Sequence, residues 1–157
     1  MSERSESLAI RVEQSNNGLL AAVEASTPEE WAARCSDGEW TQGFAAFHAA
    51  KNIGAIAEAV KNVADGNPFP GTTMEEIDAA NAADAKAHAG ATQAETVDLI
   101  KAATPGAVSM LRSLTDDQLD RKVQLLKSMP EVSVAMMAEM GLVGHAAYHT
   151  QTITGAR

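Results

Sequence analysis

A helix-capping signature recurs five times along this chain. Thr27-Pro28-Glu29-Glu30, Thr73 with Glu76, Thr92 with Glu95, Thr115 with Gln118 and Ser128-Met129-Pro130-Glu131 each set a hydroxyl three residues ahead of a glutamate or glutamine. At a helix start the hydroxyl accepts a hydrogen bond from the third helical N–H. The longer side chain returns to the N–H of the cap itself, so two otherwise orphaned donors are satisfied. Five such starts in 157 residues leave little chain for strands. The composition points the same way: 45% of residues are apolar, only 4% are aromatic, and alanine is abundant. That suits closely packed helices better than β-branched and aromatic strands. The expected fold class is all-α.

The apolar spacing fills in the rods. Leu8, Val12, Leu19, Leu20 and Val23 fall on one face of a helix from about Ser5 to Glu24. A short helix follows Pro28 to about Arg34, and Ser36-Asp37-Gly38 ends it. Thr41 caps a second long helix to about Ala64, closed by the loop signal Asp65-Gly66-Asn67-Pro68-Phe69-Pro70-Gly71. A weakly apolar helix is expected over 74–89, and a new one from near Gln93. The stripe Val97, Ile100, Val108, Leu111 and Leu114 continues past Thr104-Pro105-Gly106, which predicts a kink there. Ser128-Met129-Pro130-Glu131 is expected to open the last helix. The predicted architecture is a four-helix bundle with short accessory helices and one longer connection, about residues 66–91, in a single domain over 1–157.

Charge and cysteine usage exclude several functions. With 21 Asp and Glu against 12 Lys and Arg the net charge is −9, which repels phosphate backbones and anionic lipid. Neither nucleic acid nor a membrane is expected as a partner. Cys35 is the single cysteine and cannot close an intrachain disulfide; it reads as an inert thiol. With no long apolar run and no signal-peptide core, a cytoplasmic setting is expected.

The chemistry gathers at His145 and His149. Four residues apart on a helix, they differ by only about 40° in direction and about 6 Å in height, so one metal ion can touch both. A catalytic zinc usually takes three protein ligands and keeps one position open. Stepping at about 100° per residue puts Val134, Ala138, Gly141 and Leu142 on the face of His145, and Phe44, Ala55 and Ala59 on the face of His48. Both stripes read as inward, so one cation would satisfy three clustered imidazoles that otherwise each need a separate partner. Asn52 and Thr152 lie one turn from His48 and His149, with Tyr148 nearby, and are candidates to orient an imidazole or a bound ligand. His88 reads as solvent-exposed, and Glu139 as pointing away from the pair.

Trp40-Thr41, His48, the Ser113-Leu114-Thr115-Asp116-Asp117-Gln118-Leu119 run, and His145 with His149 together resemble the DinB/YfiT-like superfamily of four-helix-bundle metal proteins, from about Leu8 to Ile153. The resemblance implies that His48 supplies the third ligand. Two positions depart from the family's pattern: Ala49 stands where an aliphatic residue often follows the first histidine, and Thr150-Gln151-Thr152-Ile153 replaces a Gly-Gln-Ile ending. Zinc and nickel both accept imidazole. The resemblance implies a transferase or isomerase using a low-molecular-weight thiol, of the mycothiol or bacillithiol type, with a small-molecule substrate. A water-activating hydrolase is the alternative within catalysis, and a non-catalytic, metal-binding stress-response bundle the alternative outside it. Gly141, Gly144 and Ala147 permit close helix approach, and a homodimer is expected.

Overall fold

The structure, a computed structural model, describes residues 2–38 and 40–155. Long helices α1 (Glu3–Ala25), α3 (Gln42–Ala64) and α5 (Gln93–Arg112) pack with a C-terminal rod running from Val134 to Thr154. Shorter helices α2 (Pro28–Ala32), α4 (Met74–Ala87) and α6 (Asp116–Asp120) occupy the connections. The rod comprises α7 (Val134–Ala138), a π-helical turn (Glu139–Gly144) and α8 (His145–Thr154). Around the bundle α1 packs on α5, α5 on α3, α3 on α8, and α8 on α1. This is the all-α bundle the sequence predicts.

Capping decides the starts. The boxes at Thr27, Thr73, Thr92 and Thr115 form in both directions, and the Thr41 hydroxyl accepts from the Phe44 N–H at 3.2 Å. Leu8, Val12, Leu19, Val23, Ile100, Val108, Leu111 and Leu114 are all buried, and each such side chain contributes roughly 1.5–3 kcal/mol when fully removed from water. Leu20 and Val97 are only partly covered. Helix α5 runs unbroken across Pro105. The proline removes one helical hydrogen bond, and the apolar stripe packed on both sides of it keeps the rod whole.

The Ser128-Met129-Pro130-Glu131 signature does not open a helix. Instead β1 (Lys122–Val123) pairs antiparallel with β2 (Val132–Ser133), in the register Lys122 to Ser133 and Val123 to Val132. The last rod starts at Val134, where the Ser133 hydroxyl accepts from the Met136 N–H at 3.1 Å. Residues 124–131 are committed elsewhere. The Thr72 N–H donates to the Leu125 carbonyl and the Lys127 N–H to the Thr72 carbonyl, both at 2.9 Å, stitching this loop to the long connection. Gly71 makes the approach feasible: its φ is +66°, and a Cβ there would stand 3.1 Å from the Gln124 carbonyl oxygen.

The π turn is the second departure. It holds one residue more per turn than an α-helix, so everything after it is turned by about one residue step, roughly 100°, relative to α7. Val134 and Ala138 are fully buried, and beyond the turn Leu142, Ala146 and His149 carry the buried line. His145 therefore stands half-buried at the edge of that line instead of on its centre. Gly141 lets the turn lie against α3, because a Cβ there would meet Ile56 Cγ2 at 2.7 Å.

Candidate metal centre

His48 does not share the face expected of it. Beyond its first turns α3 buries Ile53, Ala57, Val60, Val63 and Ala64, of which all but Val63 lie roughly 120–180° around the helix from His48. Ala55, expected to face inward with His48, is exposed. His48 is nevertheless only 6% exposed, because α4 lies over this outer face of α3. Asp84 Oδ2 stands 3.6 Å from His48 Nδ1, and the His88 ring lies 4.9 Å from that of Phe47. Helix α4 buries none of its own residues, yet it covers the face that carries the site.

The three histidines meet at this flank of the bundle, between α3 and α8. His145 and His149 have ring centroids 4.7 Å apart, and His48 stands 5.2 and 5.3 Å from them. One nitrogen from each lies within 4.8 Å of the others. His48 Nε2 and His145 Nε2 are 3.3 Å apart. Two ligands of one tetrahedral zinc, each bound at about 2.0–2.1 Å, stand about 3.3 Å apart as well. Trp40 closes the cluster, stacked on His149 at 5.9 Å and 13° and tilted on His48 at 4.9 Å.

The protonation states suit a cation. Burial, and then repulsion from His48, lowers His145 to about 4. Burial, followed by repulsion from His145 and His48, lowers His149 to about 3. His48 is lowered by burial, which outweighs the opposing pull of Asp84. At neutral pH each ring keeps one unprotonated nitrogen. His149 Nδ1 is buried without a hydrogen-bond partner. Three convergent neutral imidazoles with an orphaned nitrogen among them fit a divalent metal.

The surrounding residues divide. Asn52 Nδ2 donates to the His48 carbonyl at 2.8 Å and lies 3.2–3.3 Å from both nitrogens of the His48 ring. Tyr148 OH donates to Asp37 Oδ2 at 3.0 Å at the mouth. The Thr152 hydroxyl is turned to the His149 carbonyl at 3.0 Å; it serves the helix backbone and not an imidazole. His88 is half-buried instead of solvent-exposed, with Nδ1 3.0 Å from Asp84 Oδ1. Glu139 pairs with Arg11 at 2.9 Å, away from the histidines. Burial, then Asp37, pushes the Cys35 thiol up, consistent with an inert cysteine.

Sequence reasoning missed Asp84. Its carboxylate bonds Lys51 and faces both His48 and His88. Burial raises its pKa, but the Lys51 hydrogen bond and charge, with the charge of His88, outweigh that and leave it lowered and ionised. The available signal was the Asp84 and His88 pair at i,i+4 on a helix too polar to bury itself. The site opens through a mouth of about 450 Å³ lined by Asp37, Trp40, Asp78, Asn81, Tyr148 and the three histidines, with no Lys or Arg in its wall among the described residues.

A family model described as the mycothiol maleylpyruvate isomerase N-terminal domain matches residues 12–148. No curated protein and no solved structure gives a match.

Proposed function

We propose that this chain, which belongs to the mycothiol maleylpyruvate isomerase N-terminal domain family within the DinB/YfiT-like superfamily, holds one divalent metal, zinc or nickel, on His48, His145 and His149, and acts as a transferase using a low-molecular-weight thiol. The observation that carries this reading is the convergence of three neutral imidazoles within 4.8 Å beneath an open mouth. Three neutral ligands leave a cation its full charge and a free position. Bound there, it supplies Lewis acidity that lowers the pKa of a thiol reaching it. The thiol proton passes to solvent, sulfur forms a bond to an electrophilic carbon, and the leaving group departs with the bonding pair.

The chain's own residues supply the rest. Asp84 faces His48 Nδ1 and orients that ring. Trp40 excludes water from two of the imidazoles. Asp37, Asn81 and Tyr148 offer hydrogen bonds to a hydroxyl-rich thiol at the mouth. The family's description also mentions maleylpyruvate, a dicarboxylate. The mouth carries Asp37 and Asp78 and, among the described residues, no Lys or Arg, which favours the thiol half of that description over the dicarboxylate half.

Titrating cobalt-substituted protein with mycothiol is expected to give a saturable near-ultraviolet thiolate-to-metal band that His149→Ala lacks. Stoichiometric metal with no spectral response to thiol would remove the transferase reading while leaving the metal site. Asp84→Asn is expected to weaken metal binding roughly 10–100-fold, as loss of an orienting carboxylate does. Competition against a chromophoric chelator measures it, and unchanged affinity would show that Asp84 does not support His48.

A further inference from the structure

A second cavity backs onto the same histidines. It measures about 370 Å³, more than twice the roughly 150 Å³ of an engineered apolar cavity that takes up benzene. Its walls include Ile56, Phe69, Ile77, Leu126 and Met137, and among the described residues none of its lining side chains is charged. The polar side chains in the wall are Thr72 and His145. His145 also lines the polar mouth, so one imidazole is shared between a hydrophilic and an apolar chamber.

This chamber is built, and is not a packing gap. Its roof is the 124–131 loop, held to the long connection by the paired Thr72 hydrogen bonds, while Gly141 keeps the floor pressed on Ile56. Natural interiors rarely leave voids larger than a water molecule. Met129 and Met140, both about half exposed, stand at its rim, where unbranched thioether side chains adapt to the shape of a guest. A carboxylate or ammonium in this wall would lose its hydration with no partner to replace it.

We propose that this cavity is the subsite for the uncharged hydrocarbon part of the electrophilic substrate, an aryl or alkyl group, held on the far side of His145 from the thiol. The assignment rests on the reading of the histidine cluster as the reacting centre. It predicts selectivity that the polar mouth alone would not give: apolar uncharged molecules bind and dicarboxylates of the same size do not.

The experiment uses the full chain and prodan, an uncharged naphthalene fluorophore whose emission shifts to the blue in apolar surroundings. Saturable one-to-one binding with a blue shift is expected, without displacement by naphthalene-2,6-dicarboxylate. Ile77→Asp should weaken binding at least tenfold, and Met140→Glu, at an exposed rim position outside the core, several-fold. Helical circular dichroism and metal content are read on each variant. Loading copper(II) should quench bound prodan in the wild type, and His145→Ala should abolish that quenching. Absence of binding, equal binding of the dicarboxylate, or indifference to both Ile77→Asp and Met140→Glu would overturn the assignment. Copper bound without quenching would overturn the adjacency. If prodan binds as expected and no metal binds at all, the cavity assignment stands and the metal reading falls.

Discussion

Untagged protein purified without chelator is expected to carry one equivalent of divalent metal by elemental analysis, and His48→Ala, His145→Ala and His149→Ala are each expected to carry almost none. Two imidazoles on α8 are not a site by themselves, since the open coordination of a catalytic ion still needs three protein ligands. Removing a direct ligand should cost more than the roughly 10–100-fold expected when an orienting partner is lost. The fold should survive each change. The rings are neutral, so no compensating charge is stranded. His149 Nδ1 makes no hydrogen bond whose loss would count. Full occupancy in His48→Ala would mean that His48 is not a ligand and that the ion is held by other groups.

Metal should also stabilise the fold. A ligand that binds only the native state at a hundred times its Kd adds about 2.7 kcal/mol. For a chain of this size about 1 kcal/mol moves Tm by roughly 2–4 °C, so metal should raise Tm by roughly 5–10 °C, and chelation should reverse it. None of the three alanine variants should respond. The pH dependence of the metal-free chain has a definite sign. Unfolded imidazoles take up protons near 6.5, whereas folded His145 and His149 do so only at about 4 and about 3. Lowering the pH through 6.5 therefore favours the unfolded chain, and metal-free stability falls progressively toward pH 3. In the folded chain protons contest those two nitrogens only near pH 4, so a metal-dependent rise in Tm should persist at pH 5.5. Its disappearance there would contradict the burial of these rings. Differential scanning calorimetry with and without metal reads all of this.

The helix starts were legible because capping is local chemistry: Thr27, Thr73, Thr92 and Thr115 act on atoms within three residues of themselves. The same grammar failed at Ser128, where a non-local commitment, the Thr72 pairing with Leu125 and Lys127, outweighs a local box. The histidine pair was legible from spacing, and the ring contact of 4.7 Å follows from it. The face of His48 was not. Angular arithmetic assumes that one side of a helix is inside, but the first turns of α3 are buried on every side, and the covering element is a helix with no apolar face of its own. Asp84 was hidden for the same reason: its role exists only once α4 lies over α3. Nothing in Glu139-Met140-Gly141-Leu142-Val143-Gly144 beyond two glycines marks the π turn.

That turn makes chain length itself a determinant of the centre. Deleting one residue from 139 to 144 would let the rod close to an ordinary α-helix with both histidines in their present directions, whereas inserting one would swing them by about 100°, over Val134 and Ala138 and away from His48. No side chain that touches the ion would have changed, yet the constellation would be gone. The centre is thus encoded partly as a number of residues, and substitutions alone explore only part of the variation that can create or abolish it.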